Sequence, residues 1–257
     1  MRVLAVIPAR YGSTRFEGKP LADILGKPMI QHVYEGLSES NLIERIIVAT
    51  DDQRIVEAVQ SFGGNAVMTS PHHRAGTDRV AEVARRFKAE IIANVQGDEP
   101  LIKGRTVDRA IRPLLTNETL LMSTLVTRFQ DRKDWVSPNT AKVVVDREGY
   151  ALYFSRAPIP FPRDSNMGQP PSLSVAPEEP FPTEAFKHIG VYVFRRRFLF
   201  QYAKMSPTPL ENLEKLEQLR VLEHGYRIKV TAVDYEPLCV DTPEDLERVI
   251  ASLSGSP

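Results

Sequence analysis

Through the first half of the chain, short β-branched runs alternate with segments whose apolar residues recur at three- and four-residue spacings. The runs at 3–9 (VLAVIPA), 45–50 (RIIVAT), 65–69 (NAVMT) and 90–96 (EIIANVQ) read as strands. They are nearly continuously apolar, which predicts burial on both faces, as in a parallel sheet covered by helices. Between them, 28–40 (PMIQHVYEGLSES), 52–62 (DQRIVEAVQSF) and 76–87 (GTDRVAEVARRF) carry helical spacing. Strand–helix–strand units of this kind close by right-handed crossovers. The expected class is α/β, with a mostly parallel central sheet flanked by helices.

The second half changes pattern. Residues 120–127 (LLMSTLVT), 141–146 (AKVVVD), 149–156 (GYALYFSR) and 186–194 (FKHIGVYVF) read as strands with few helices between them, which predicts an antiparallel extension. Residues 158–182 hold eight of the chain's 20 prolines and little apolar material, so a long loop is expected there, mobile without partner or ligand. The chain then returns to helix at 209–225, strand at 227–234 and helix at 242–253. No internal repeat is visible, and residues 1–257 read as one domain.

Composition narrows the function classes. At 257 residues, with 42% hydrophobic and 26% charged residues, the chain has an ordinary globular make-up and enough material for a full core. Its 33 basic and 33 acidic side chains cancel, so no overall field draws in a nucleic acid or an anionic membrane. A single cysteine, Cys239, excludes an internal disulfide framework and a cysteine zinc cage. The opening MRVLAVIPARYG breaks at Pro8, too short for a membrane span and without a small-residue cleavage site, so a cytoplasmic protein with no membrane insertion is expected.

Two loops at predicted strand ends carry candidate chemistry. In parallel α/β sheets the ligand crevice lies at the carboxyl ends of the strands. ARYGSTRFEGKPL (9–21) sets Arg10, Arg15 and Lys19 around Gly12, Ser13 and Gly18, with Glu17 as its one acid. Backbone N–H groups and cations in such a loop converge on an anion, and three cations point to a triphosphate. It is not a P-loop, since Pro20 stands where that motif needs Ser or Thr.

NVQGDEP (94–100) ends an apolar strand on Asp98 and Glu99. It is either a solvated turn or a site for something positive, because an unpaired carboxylate is costly to bury. Gly97 is expected to leave space for the ligand and Pro100 to stiffen the exit. Glu99 is expected to turn towards the protein. Asp241, in VDTPEDLE (240–247), reads by itself as part of a helix start, with Asp or Thr as N-cap and Pro early.

These loops belong to a longer series. IPARYGSTRFEGKPL, AGTDR (75–79), NVQGDEP, SPNTAKVVVD (137–146), ALYFSRAPIP (151–160), KHIGVY (187–192), LEKLEQLR (213–220) and VDTPEDLE resemble, in order, the blocks of the 3-deoxy-manno-octulosonate cytidylyltransferase family. The first block is shared with other sugar-nucleotide transferases; YFSRAPIP, HIGVY and LEQLR are far more specific. The chain departs from the family's usual residues at Phe16-Glu17 and at Ala75, and its proline-rich insert is longer.

The resemblance implies a nucleotide-diphospho-sugar transferase-like, Rossmann-like fold. It implies transfer of CMP from CTP to the anomeric hydroxyl of 3-deoxy-D-manno-octulosonate (Kdo), which serves lipopolysaccharide assembly. Arg10, Lys19, Asp98 and Asp241 are the implied catalytic residues, with Mg2+ on Asp98 and Asp241. Ala9, Arg10, Ser13, Arg15, Lys19, Gly76, Arg79 and Gln96 are the implied nucleotide contacts. Gln96, Arg156, His188, Tyr192, Glu217 and Gln218 are the implied sugar-acid contacts. From the residues alone, Arg156 reads equally as a surface ion-pair residue.

His188, Gly190 and Tyr192 share one face of a strand, and Glu214, Glu217 and Gln218 share one face of a helix. A homodimer is implied, with the strand-rich, proline-rich stretch at about 118–195 as its interface. The alternatives are a cytidylyltransferase for an amino-Kdo analogue or a sialic acid, and a regulatory domain that holds nucleotide without cleaving it. Two acids at separate strand ends speak against the regulatory reading.

Overall fold

The computed structural model describes residues 1–12, 16–73, 75–162 and 185–255. From β1 (Val3–Ala9) the chain passes a 3-10 turn (Lys19–Leu21) and a hairpin, β2 (Asp23–Ile24) and β3 (Lys27–Pro28), into α1 (Met29–Leu37). There follow β4 (Arg45–Thr50), α2 (Gln53–Ser61), β5 (Ala66–Met68), α3 (Gly76–Arg86) and β6 (Ile91–Val95). Next come α4 (Gly104–Thr116), β7 (Met122–Arg128), α5 (Arg132–Val136), β8 (Lys142–Val145), β9 (Ala151–Ser155) and β10 (Phe186–Arg195). The chain ends with α6 (Arg196–Tyr202), α7 (Pro209–Glu214), α8 (Leu219–Glu223), β11 (Lys229–Ala232) and α9 (Pro243–Ser254).

The main sheet runs β11-β7-β10-β6-β1-β4-β5, with β8 and β9 branching from β10. Along that path β10 alone opposes the other strands, pairing antiparallel with both β6 and β7. β1 pairs in parallel with β4 on one side and β6 on the other, β4 with β5, and β7 with β11. The mostly parallel α/β sheet therefore holds, and the antiparallel character is confined to β10 and the β8–β9 branch.

Successive side chains of β1 serve opposite layers. Val3, Ala5 and Ile7 join the core under α1, α2 and α4, while Leu4 and Val6 join the core under α3 and α6. This two-sided burial is why the strand reads as an unbroken apolar run.

Several elements depart from the sequence pattern; α5 and α6, like α4, are not among the expected helices. α4 has no counterpart among the expected helices: Gly104 and Pro113 read as breakers, yet Val107, Ala110, Ile111 and Leu114 form a buried stripe at helical spacing. The expected helix over 209–225 is two short helices, α7 and α8. They are separated at Lys215, which adopts a left-handed conformation with φ 55°. Glu214, Glu217 and Gln218 consequently do not share a helix face. The proline-rich expectation at 158–182 lies outside the described residues from 163 onward.

α1 and the approach to α4 meet backbone to backbone. A Cβ on Gly36 would lie 2.3 Å from the Ile102 carbonyl oxygen. Alanine in a helix interior contributes about 1 kcal/mol over glycine, but overpacking against backbone costs roughly 1–3 kcal/mol or more. Gly36→Ala is therefore expected to lower Tm by several degrees in a thermal melt; an unchanged or raised Tm would show that the contact yields freely.

Candidate active site

The sheet reverses its winding at β1. The chain moves outward through β4 and β5, then returns to place β6 on the other side of β1. Such a reversal opens a crevice beyond the carboxyl ends of the two central strands. A cavity of about 300 Å³ lies there, lined by Ala9 and Arg10 after β1 and by Gln96 and Asp98 after β6. Lys19, Gly76, Arg79 and Asp241 complete its wall among the residues expected from sequence. Ser13 and Arg15 lie outside the described residues.

Lys19 draws the two acids together. Its ammonium donates to Asp98 Oδ2 at 2.9 Å, to Asp241 Oδ1 at 3.3 Å and to the Val240 carbonyl at 2.8 Å. The Val240 N–H in turn donates to the Asp98 carbonyl at 2.9 Å. This segment is brought in by packing Val240, and Val249 of α9, with Ile24 of β2 and Met29 at the start of α1. Thr242 caps α9 in a reciprocal capping box with Asp245, so the cap role falls to Thr242 rather than Asp241. The two carboxylates thus converge on one cation-sized point.

Gly97 lines the cavity. A Cβ there would lie 3.2 Å from the Pro8 carbonyl oxygen and 3.4 Å from Ile7. The missing side chain also lets the end of β6 close against β1. Glu99 is turned into the protein, 2% exposed, with Oε1 accepting the Gly190 N–H at 3.3 Å. Burial, and then the neighbouring Asp98 charge, push its carboxyl up to about 7.

α3 begins at the cavity. Ala75 is its N-cap and supplies no side-chain hydrogen bond, so its first N–H groups and positive dipole end lie at the cavity wall. Arg79 lines the cavity, but its guanidinium is held by Thr69 and by Asp51, the latter at 2.6 Å. It ties the ends of β4 and β5 to the first turn of α3. Arg10 is exposed.

The other expected residues form a second cluster, joined to the cavity through Gln96, and none of the remaining five lines the cavity itself. Tyr192 donates to Gln218 Oε1 at 2.8 Å. His188 lies 5.3 Å from Tyr192, ring to ring, and its Nε2 is 2.8 Å from Thr124 Oγ1. Gly190, between them, packs against the Gln96 side chain. Glu217 accepts the Thr77 hydroxyl on both oxygens, at 2.8 and 2.9 Å. Burial raises the Glu217 carboxyl, opposed by that hydrogen bond.

Arg156 donates from Nε to the Glu214 carbonyl at 2.8 Å and from Nη1 to the Pro138 and Asn139 carbonyls at 3.0 and 3.3 Å. Glu214 answers with its carboxylate, which takes the Arg156 N–H at 2.8 Å and Ser155 Oγ at 2.7 Å.

Several participants escape sequence reasoning. Lys142 is fully buried, its ammonium donating to the Ser137, Thr140 and Arg156 carbonyls at 2.5, 2.8 and 2.6 Å. Burial pushes it down to about 8. A lysine inside the strand run AKVVVD was the available signal. Thr77 and Asn94, both fully buried, carry the link to Glu217. His73, at the cavity wall and 2.6 Å from Glu82, gave no signal beyond its residue type.

Comparison with known proteins adds to this geometry. A sequence profile of the cytidylyltransferase family matches residues 4–228. The 3-deoxy-manno-octulosonate cytidylyltransferase of Geotalea uraniireducens is 56% identical over 256 residues, covering 98% of this chain and 99% of the relative. A solved CMP:2-keto-3-deoxy-manno-octonic acid synthetase complexed with CTP is 41% identical with a TM-score of 0.88, covering 99% of both chains. A cytidylyltransferase from Leptospira borgpetersenii, 18% identical with a TM-score of 0.64, shares the fold, covering 100% of this chain and 88% of its own.

The enclosure of His188 yields a pH prediction. Burial pushes its imidazole down to about 3 from the usual 6.5. Between those values the unfolded chain binds a proton that the folded protein does not, so stability falls as pH drops through that window and is unaffected above it. His188→Gln should flatten the dependence of Tm on pH between about 6.5 and 4 relative to the parent. The same slope in both proteins would show that His188 titrates normally in the fold.

Proposed function

The chain belongs to the cytidylyltransferase family, and we propose that it transfers CMP from CTP to the anomeric hydroxyl of 3-deoxy-manno-octulosonate, giving CMP-Kdo and pyrophosphate. The observation that carries this reading is the meeting of Lys19, Asp98 and Asp241 at the switch point of the sheet. It sits in a chain similar along its whole length to relatives of that name.

The sugar's anomeric oxygen forms a bond to the α-phosphorus of CTP while the bond to the pyrophosphate oxygen breaks. Such a displacement needs alignment and charge neutralisation more than covalent help from the protein. Arg10, Arg15 and Lys19 are assigned to the phosphates, helped by the first N–H groups of α3. Ala9, Ser13, Gly76, Arg79 and Gln96 are assigned to the cytidine side. Gln96, Arg156, His188, Tyr192, Glu217 and Gln218 are assigned to the sugar acid. Arg156 acts there from a guanidinium already oriented by Glu214 and the 138–139 carbonyls.

Asp98 and Asp241 fit Mg2+, since both offer hard oxygens to the point where the Lys19 ammonium lies. Bound with CTP, Mg2+ would neutralise triphosphate charge and polarise the α-phosphate. Lys19 holds the two acids in register until substrate arrives.

We also propose a homodimer built from the second half. Leu152 on β9 and Phe161 beyond it are 62% and 61% exposed, and among the described residues β9 pairs only with β8. An uncovered strand edge with large apolar side chains suits a second copy. The setting proposed is the cytoplasm, supplying an activated sugar acid for lipopolysaccharide. Among the described residues no helix is long and apolar enough to cross a membrane.

The test is magnesium-dependent pyrophosphate release with CTP and a panel holding Kdo, its amino analogue and a sialic acid; Kdo is expected to be turned over fastest. Asp98→Asn and Asp241→Asn should each slow turnover roughly 100-fold or more, and the double variant far less than their product, because both act at one site. Losses that multiply would separate the two acids.

Lys19→Ala should raise the CTP requirement or slow turnover. Arg156→Lys, which loses the planar fork, should raise the KM for the sugar acid more than that for CTP. The reverse pattern would move Arg156 to the nucleotide half.

A further inference from the structure

One hydrogen-bonded chain crosses from the cavity to the second cluster. The Gln96 amide donates to Asn94 Oδ1 at 3.3 Å, and Asn94 Nδ2 donates to Thr77 Oγ1 at 3.1 Å. The Thr77 hydroxyl then donates to the Glu217 carboxylate at 2.8 and 2.9 Å. Every donor points the same way, from the cavity wall to a carboxylate that only accepts. Asn94 stands mid-strand between Ala93 and Val95, fully buried, where an apolar residue of similar size would carry no desolvation cost. Thr77 is equally buried in the first turn of α3.

We propose that Thr77 and Asn94 are positioning residues that couple the nucleotide cavity to the sugar-acid cluster, so that CTP held against Gln96 sets the orientation of Glu217. The proposal rests on the cytidylyltransferase reading for the identity of the two ligands. Its geometry is specific. Thr77 contacts both Glu217 oxygens almost equally, which anchors the carboxylate end-on and leaves its outer lone pairs for a second partner.

The same wall is braced from the side. Asn94 is the cross-strand partner of Tyr192 in the β6–β10 ladder, and Tyr192 holds Gln218, the neighbour of Glu217. Two adjacent residues of the α7–α8 break are thereby referenced to one position of β6. Coupling between two ligands is reciprocal: if CTP tightens the sugar acid by some factor, the acid tightens CTP by the same factor.

The test compares Thr77→Val, which keeps the shape and removes the hydroxyl, with Thr77→Ser, which keeps the hydroxyl. Thr77→Val should raise the sugar-acid KM roughly ten-fold, the scale of a hydrogen bond to a charged group, with a smaller change in the KM for CTP. It should also abolish the factor by which a non-reactive CTP analogue tightens sugar-acid binding in calorimetry. Thr77→Ser should restore both. Should Thr77→Val fail to fold, Asn94→Leu breaks the chain one step earlier and is expected to give the same split.

An unchanged coupling factor in the valine variant, or equal effects of valine and serine, would overturn the proposal and leave Thr77 a purely structural residue. The parent enzyme is the control on the reaction itself. If it released no pyrophosphate with any acid, the assigned function would fail. The link would still be judged by binding of the CTP analogue alone, which Thr77→Val should weaken through the freed Asn94 and Gln96; unweakened binding would then overturn it.

Discussion

An ammonium between two carboxylates is the contact around which the site is organised. Asp98 ends a central strand and Asp241 precedes the final helix, and two such charges repel unless a cation lies between them. Lys19 supplies it from a turn after β1, and the backbone bond from Val240 to Asp98 fixes the approach of the third segment. All three partners are partly solvated, with side-chain exposures of 15, 31 and 42% for Lys19, Asp98 and Asp241. The pair energies are therefore screened and small compared with the burial that docks α9. The small apolar core of Ile24, Met29, Val240 and Val249 brings the segments together, and the charges set their register.

The second cluster is organised differently, by two cations gathering the backbone oxygens of one turn. The turn at 137–140 has four successive carbonyls, and two cations take all of them: Lys142 holds those of Ser137 and Thr140, Arg156 those of Pro138 and Asn139. Lys142 then reaches back to the Arg156 carbonyl, and Glu214 closes the circuit on the Arg156 N–H. Burial, and then the Arg156 charge, lower the basicity of Lys142, opposed in part by the Glu214 and Asp134 charges. The result is an arginine whose backbone and side chain are both held by the protein itself.

Much of this was readable from the chain. The four apolar runs of the first half are β1, β4, β5 and β6; burial on both faces holds for β1, β4 and β6, whereas the edge strand β5 is only partly buried, with Met68 exposed. The basic loop and the acidic strand end fell at carboxyl ends of parallel strands, where topology alone predicts a crevice. The start of α9 was legible from Asp-Thr-Pro-Glu-Asp, since capping is a local device, and the structure chose Thr242 over Asp241 as the cap. α4 was hidden because Pro113 reads as a breaker, although the helix runs through it to Thr116.

What the sequence determined by itself is therefore what depends on near neighbours and on averaged burial: the strand and helix order, the loops that hold charge, and the caps. Tertiary structure alone decided which of those charges meet. Lys19 reaches Asp241 through the docking of α9, and Glu217 faces Thr77 because a single left-handed residue, Lys215, breaks what periodicity reads as a continuous helix. Gly97 is small so that β1 and β6 can close, and Arg79 braces two strand ends. Periodicity reports how often a position faces the core; it carries no record of which distant segment lies opposite, and one left-handed backbone angle redirects every side chain beyond it.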